Sequence, residues 1–107
     1  MIKNMDFEEI FEMGKLIEIN QGQVVSKTFA QNDAVSITLF AFSKDEEIST
    51  HESDGDALVT ILEGKARVTI DGKEFMLEEK ESIVMPARKP HAIYAVEDFK
   101  MLLTVVF

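Results

Sequence analysis

After Gly14 the chain breaks into short runs rich in β-branched and aromatic residues. They are Leu16–Ile19, Val24–Ala30, Val35–Phe42, Ala57–Leu62, Ala66–Ile70, Glu74–Leu77, Ser82–Met85, His91–Val96 and Phe99–Phe107. Turn signals stand between them at Gln21-Gly22, Gln31-Asn32-Asp33, Glu63-Gly64, Asp71-Gly72, Lys89-Pro90 and Glu97-Asp98. Runs of this kind, spaced about 8–12 residues apart with no helical pattern between them, predict an all-β antiparallel sandwich or small barrel. The strongest local signal is Asp71-Gly72, set between the alternating stretches Ala66–Ile70 and Lys73–Leu77. It predicts a hairpin closed by a type I′ turn.

Parity adds direction. Phe99, Met101, Leu103, Val105 and Phe107 share one face of the last strand, which is expected to look into the barrel. Leu102 and Val106 on the opposite face imply partial cover there too, from the second sheet or from a neighbouring subunit. In Val35–Phe42 neither face dominates, because Val35, Ile37 and Leu39 oppose Ser36, Thr38, Phe40 and Phe42. Ahead of the strands, Asp6 stands in N-cap position with Glu9 three residues on, and Gly14 closes the segment. Phe7, Ile10 and Phe11 then fall on one stripe of a short helix over Asp6–Gly14.

With 107 residues, 46% of them hydrophobic and 29% charged, the chain has the size and balance of one globular domain. It divides into an N-terminal helix and strands over 1–30 and a barrel core over 35–107. Eleven basic against 20 acidic residues give a formal charge of −9, which argues against nucleic acid and anionic membranes as partners. No run approaches the ~18 apolar residues of a membrane helix, the N-terminus has no secretory apolar core, and a cytoplasmic location is expected. The absence of cysteine removes disulfides, thiolate metal sites and thiol nucleophiles. Only His51 and His91 supply imidazole. No nucleophile elbow or glycine-rich phosphate loop is present.

Two segments carry a family pattern: Asp45–Gly64, containing His51-Glu52-Ser53-Asp54-Gly55-Asp56-Ala57, and Lys80–His91, containing Pro86-Ala87-Arg88-Lys89-Pro90-His91. With the Asp71-Gly72 hairpin between them, residues 35–107 resemble the small cupins. The first cupin motif runs Gly, His-x-His, Glu, Gly, and its positions here read Asp45, His51, Ser53, Ala57 and Gly64. The second runs Gly, Pro, Gly, His, Asn, and reads Lys80, Pro86, Arg88, His91 and Ala95. The resemblance implies a jelly-roll-like barrel of two antiparallel sheets and a homodimer made by pairing sheets and exchanging N-terminal strands. The apolar content of Asp6–Ala30, more than one small barrel needs, points the same way.

A cupin metal site takes three histidines and a glutamate. Here Ser53 and Ala57 stand at two of those positions, leaving His51 and His91 as the candidate metal ligands. A loop carboxylate, Asp54 or Asp56, is the candidate third ligand, and the candidate ion is a divalent transition metal (iron, manganese, zinc or nickel). Glu52 is expected to point away from His51 by strand alternation. The ligand pocket is expected to be walled by Thr38, Phe40, Ile48, His51, Ser53, Ala57, Val59, His91, Ile93, Met101 and Leu103. Alanine in place of glutamate makes such a cavity more apolar, which suits a small organic ligand held by a few polar groups.

Three functional classes follow. The first is a small-molecule-binding protein with a degenerate metal site. The second is a metal-dependent enzyme of oxygenase or isomerase type using His51, His91 and a substitute carboxylate. The third is a dimeric scaffold.

Overall fold

A computed structural model describes all 107 residues. Nine strands form: β1 (Val24–Gln31), β2 (Val35–Phe42), β3 (Glu47–His51), β4 (Asp56–Glu63), β5 (Lys65–Ile70), β6 (Lys73–Glu78), β7 (Ser82–Met85), β8 (His91–Ala95) and β9 (Phe99–Val106). They make two antiparallel sheets, one of five strands in the order β1-β2-β9-β4-β7 and one of four in the order β3-β8-β5-β6. The Asp71-Gly72 turn has positive φ at both positions, 49° and 83°, and sets Ile70 opposite Lys73, as a two-residue type I′ hairpin requires.

The core lies between the sheets. Phe42, Val59, Ile61, Val68, Ile93, Phe99 and Met101 are its fully enclosed members, with Ala57, Ala66, Leu77, Met85, Ala95 and Val105. Phe42 and Phe99 face each other in the β2–β9 register and stack at 4.5 Å between ring centroids. Such a pair adds about 0.5–1.5 kcal/mol beyond the burial of its area. The odd face of β9 looks inward as its parity predicts, except that the terminal Phe107 lies exposed.

The ambiguous strand β2 is resolved by having two buried faces. Phe40 and Phe42 point into the barrel, while Leu39, Ala41 and Ile37 join Ile17 and Phe29 in a second apolar cluster on the outer side of the five-stranded sheet. Met5, Met13, Leu16, Ile19, Val25, Leu62 and Leu102 pack around it. The cover for Leu102 therefore comes from this chain's own N-terminal segment. Lys100 pins that segment down: its ammonium donates to the Gly14 carbonyl at 2.7 Å and meets Glu63 at 3.0 Å, and its side chain is only 13% exposed.

The N-terminal segment departs from expectation in detail. The helix over Asp6–Gly14 does not form; the one helical element is a 3-10 turn over Met13–Leu16, and Leu16–Ile19 pairs with no strand. Glu8 sits at φ +61°, which a right-handed helix does not accommodate. Phe7, Ile10 and Phe11 are exposed, so the stripe they would form has nothing in this chain to pack on. An isolated helix that short is not stable without such packing.

β3 is a strand that the hydrophobic runs did not reveal. Its residues Glu47, Ser49 and Thr50 are exposed, and only Ile48 packs against the core. No helix is long and apolar enough to cross a membrane.

Candidate functional site

Antiparallel pairing closes the forty-residue gap between the histidines. His51 is the last residue of β3, His91 the first of β8, and the two stand opposite each other in the register. The loop that delivers His91 is tied down on three sides. Arg88 N–H donates to the Ser53 carbonyl at 2.7 Å, Ala87 N–H to Asp56 Oδ1 at 2.8 Å, and Asp71 N–H to the Pro90 carbonyl at 2.8 Å. Gly64, the glycine that ends the first motif, adopts φ +79°, and a Cβ there would lie 1.9 Å from the Asp98 carbonyl oxygen. Only glycine fits that approach.

The rings meet at their Nε2 atoms, 3.1 Å apart, nearly edge to face at 74°. His91 is buried, 2% exposed, and His51 lies exposed at the mouth. Each ring's other nitrogen is committed: His51 Nδ1 lies 2.9 Å from the Ser49 carbonyl and His91 Nδ1 lies 3.1 Å from the Lys89 carbonyl. A carbonyl oxygen can only accept, so both Nδ1 atoms carry protons, and two neutral rings would face each other with bare Nε2 lone pairs. Two lone pairs at that distance repel unless a proton or a cation lies between them. One shared proton turns the contact into an N–H···N hydrogen bond and gives the pair a single positive charge. Burial, and then the charge of His51, hold His91 below the ordinary imidazole value of 6.5. The Lys89 carbonyl and Glu52 act in the opposite sense.

The pair sits in a cavity of about 260 Å³ lined by Ile48, His51, Glu52, Ser53, Ala57, Met85, His91, Ile93, Leu103 and Val105. Seven residues of the expected pocket are thus brought together: Ile48, His51, Ser53, Ala57, His91, Ile93 and Leu103. Four are not. Val59 and Met101 are fully enclosed in the core, Phe40 packs against it, and the Thr38 hydroxyl lies 3.5 Å from that of Thr28.

Met85 and Val105 are additions. Val105 lies on the inward face of β9 and Met85 stands opposite Ala57, so parity and register together point to both. Glu52 also lines the cavity, against the expectation from alternation. β3 ends at His51, and its pairing with β8 already shifts register between Ile48 and His51, so period two does not extend to Glu52.

Neither loop aspartate joins the histidines. Asp56 is engaged with the Ala87 N–H, Asp54 is exposed, and neither lines the cavity. The donor set matches the metal that the fold implies only in part. The 3.1 Å between two Nε2 atoms suits neighbours in a shell of about 2.0–2.1 Å bonds, and carbonyl partners at Nδ1 orient ligating imidazoles. However, no group of three or more histidine and carboxylate side chains gathers to hold an ion. The residues present fit half of a metal shell and not a whole one, because such sites take three or more protein donors.

A barrel of two antiparallel sheets with a histidine pair at its mouth is the cupin arrangement. The family model described as a cupin domain matches residues 38–107. A conserved protein of unknown function from Streptococcus pyogenes is 45% identical, with a TM-score of 0.96 over 98% of this chain and 92% of that one. A cupin superfamily protein from Desulfitobacterium hafniense is 37% identical, with a TM-score of 0.95 over 100% of this chain and 98% of that one. A cupin 2 conserved barrel domain protein from Leptotrichia buccalis is 39% identical, with a TM-score of 0.89 over 91% of this chain but 47% of that one. No curated protein matches the chain. The chain belongs to the cupin superfamily as one of its small members.

Proposed function

We propose that the protein binds a small organic molecule in the barrel mouth, beside His51 and His91, at a metal site that has lost half its ligands. The observation that carries this reading is the facing Nε2 pair at the mouth of an otherwise largely apolar cavity. Ile48, Ala57, Met85, Ile93, Leu103 and Val105 give a hydrocarbon body its surroundings. With both Nδ1 protons held by backbone carbonyls, the facing Nε2 lone pairs offer a ligand hydroxyl an acceptor. A thermal-shift screen of sugars, aromatics and keto acids tests the reading. A ligand at about 100 times its dissociation constant adds ~2.7 kcal/mol of stability. Hits are expected, and their shifts are expected to vanish in His51→Ala. A screen with no shift contradicts this reading and favours a scaffold.

One observation favours a second reading, a metal-dependent enzyme of oxygenase or isomerase type. The two Nε2 atoms converge, and Glu52 supplies a carboxylate at the same cavity. Stoichiometric iron, manganese, zinc or nickel in protein purified without a histidine tag, absent from His51→Ala, would establish that reading in place of the first.

The partner we propose is a second copy of this chain. Ile2, Phe7, Ile10 and Phe11 on the N-terminal segment are exposed, as are Leu58 and Val106 on the outer face of the five-stranded sheet. Leu58 lies on the same outer face as the apolar cluster that the segment covers, opposite Thr104, which in turn stands opposite Ile37 of that cluster. Large apolar side chains exposed in such number mark an interaction surface.

A further inference from the structure

The two sheets end on one side in free edges, β6 of the four-stranded sheet and β7 of the five-stranded one. Between these edges runs an open groove of about 460 Å³, lined by Ile70, Phe75, Ile83, Val84 and Pro86, with Asp71, Lys73 and Lys89 around it. It shares no lining residue with the histidine cavity. Ile70, Phe75 and Ile83 in its floor are core-facing positions that the sheets leave partly uncovered, and Val84 adds an exposed side chain from the outer face of β7. Phe75 stands opposite Val68 and Ile83 opposite Val59, both fully enclosed, yet Phe75 is itself 38% exposed.

The charge around the groove runs against that of the chain. The protein carries a formal −9, whereas the groove has two lysines and one aspartate. Asp71 reaches Lys89 at 3.7 Å, and Lys73 takes part in none of the chain's four ion pairs. An uncommitted ammonium beside an apolar floor complements a molecule with a hydrocarbon body and an anionic head.

We infer that this groove is a second binding site, for a small amphipathic carboxylate of the alkanoate or arylalkanoate class. The apolar floor takes the hydrocarbon and Lys73 takes the carboxylate. This site is independent of the barrel-mouth reading and stands or falls without it.

Titration of the full chain with octanoate, followed by amide chemical shifts, tests the inference. Saturable shifts are expected at Ile70, Lys73, Phe75 and Ile83, with Ser53 and Ile93 unmoved. Lys73→Glu is expected to weaken binding about tenfold or more, Lys73→Arg to retain it, and octylammonium to bind about tenfold more weakly than octanoate. Lys73 is exposed, so the variant keeps its fold; Phe75→Ser gives a second, apolar probe of the same groove and is expected to weaken octanoate as well. Equal binding of octylammonium, shifts confined to the histidine cavity, or no saturation would overturn the proposal.

Discussion

His51 and His91 make the same local contact twice: each ring directs Nδ1 at the carbonyl two residues before it and Nε2 at the other ring, 3.1 Å away. Both tautomers are thereby fixed from the backbone, and the meeting point of the rings is left to a single proton, a cation or a ligand. Cupins use imidazoles in this setting to hold an ion. Ser53 and Ala57 line the same cavity, and neither adds a histidine or carboxylate to the pair.

His91 gives the first prediction. Its folded-state value lies below 6.5, so the unfolded chain takes up a proton at a pH where the folded one does not. The sign follows from linkage: His91's contribution to stability is complete above about pH 6.5 and is lost as pH falls toward the folded value. An NMR titration of the imidazole protons should put the His91 midpoint below 6.5. His51→Ala should raise that midpoint without restoring the ordinary value, because burial is the larger cause.

Tyr94 is the only tyrosine and tryptophan is absent, so phenolate absorbance reports on one group. Its hydroxyl donates to Asp45 Oδ1 at 2.6 Å, and that bond raises its value above 10.0. The stabilisation is complete below about pH 10 and is lost as pH rises through the folded value. A spectrophotometric titration should find a midpoint above 10.0, and Asp45→Asn should bring it down. A midpoint unmoved by the substitution would show that the bond is not kept in solution.

Gly64→Ala should destabilise the fold severely. A Cβ at this position meets the Asp98 carbonyl, Phe99 Cα and Phe99 Cβ, and φ is +79°. Left-handed strain and overpacking each cost about 1–3 kcal/mol, so a loss of about 2–6 kcal/mol is expected in urea unfolding. Gly72→Ala, with positive φ but open space around its Cβ, is the control and should cost distinctly less.

Much of the barrel was legible because it rests on periods and turns. Alternation in Phe99–Val105 and the Asp71-Gly72 signal predicted the inward face and the hairpin, and both stand in the structure. What escaped was set by tertiary context. β3 carries a single core-facing apolar residue, so periodicity had nothing to register, although this strand delivers His51. Glu52 was misdirected because alternation was extended past the strand's end. The N-terminal stripe failed because a helix needs a surface to bury it, and the chain offers Phe7 and Ile10 none.

That unpartnered stripe leads to a prediction about assembly. Sedimentation of the wild-type chain should give a dimer. Phe7→Ser together with Phe11→Ser should shift it toward monomer while leaving far-ultraviolet dichroism unchanged, because both side chains are exposed within one chain. A monomeric wild type would refute the proposed partner.

The most direct test of the central claim is diffraction from crystals of untagged protein, with anomalous data collected at the transition-metal edges. The account predicts no ion at full occupancy between His51 Nε2 and His91 Nε2, and non-protein density from a small organic molecule in the cavity beside them. A full-occupancy anomalous peak within bonding distance of both nitrogens would contradict it and identify the protein as a metal-dependent cupin.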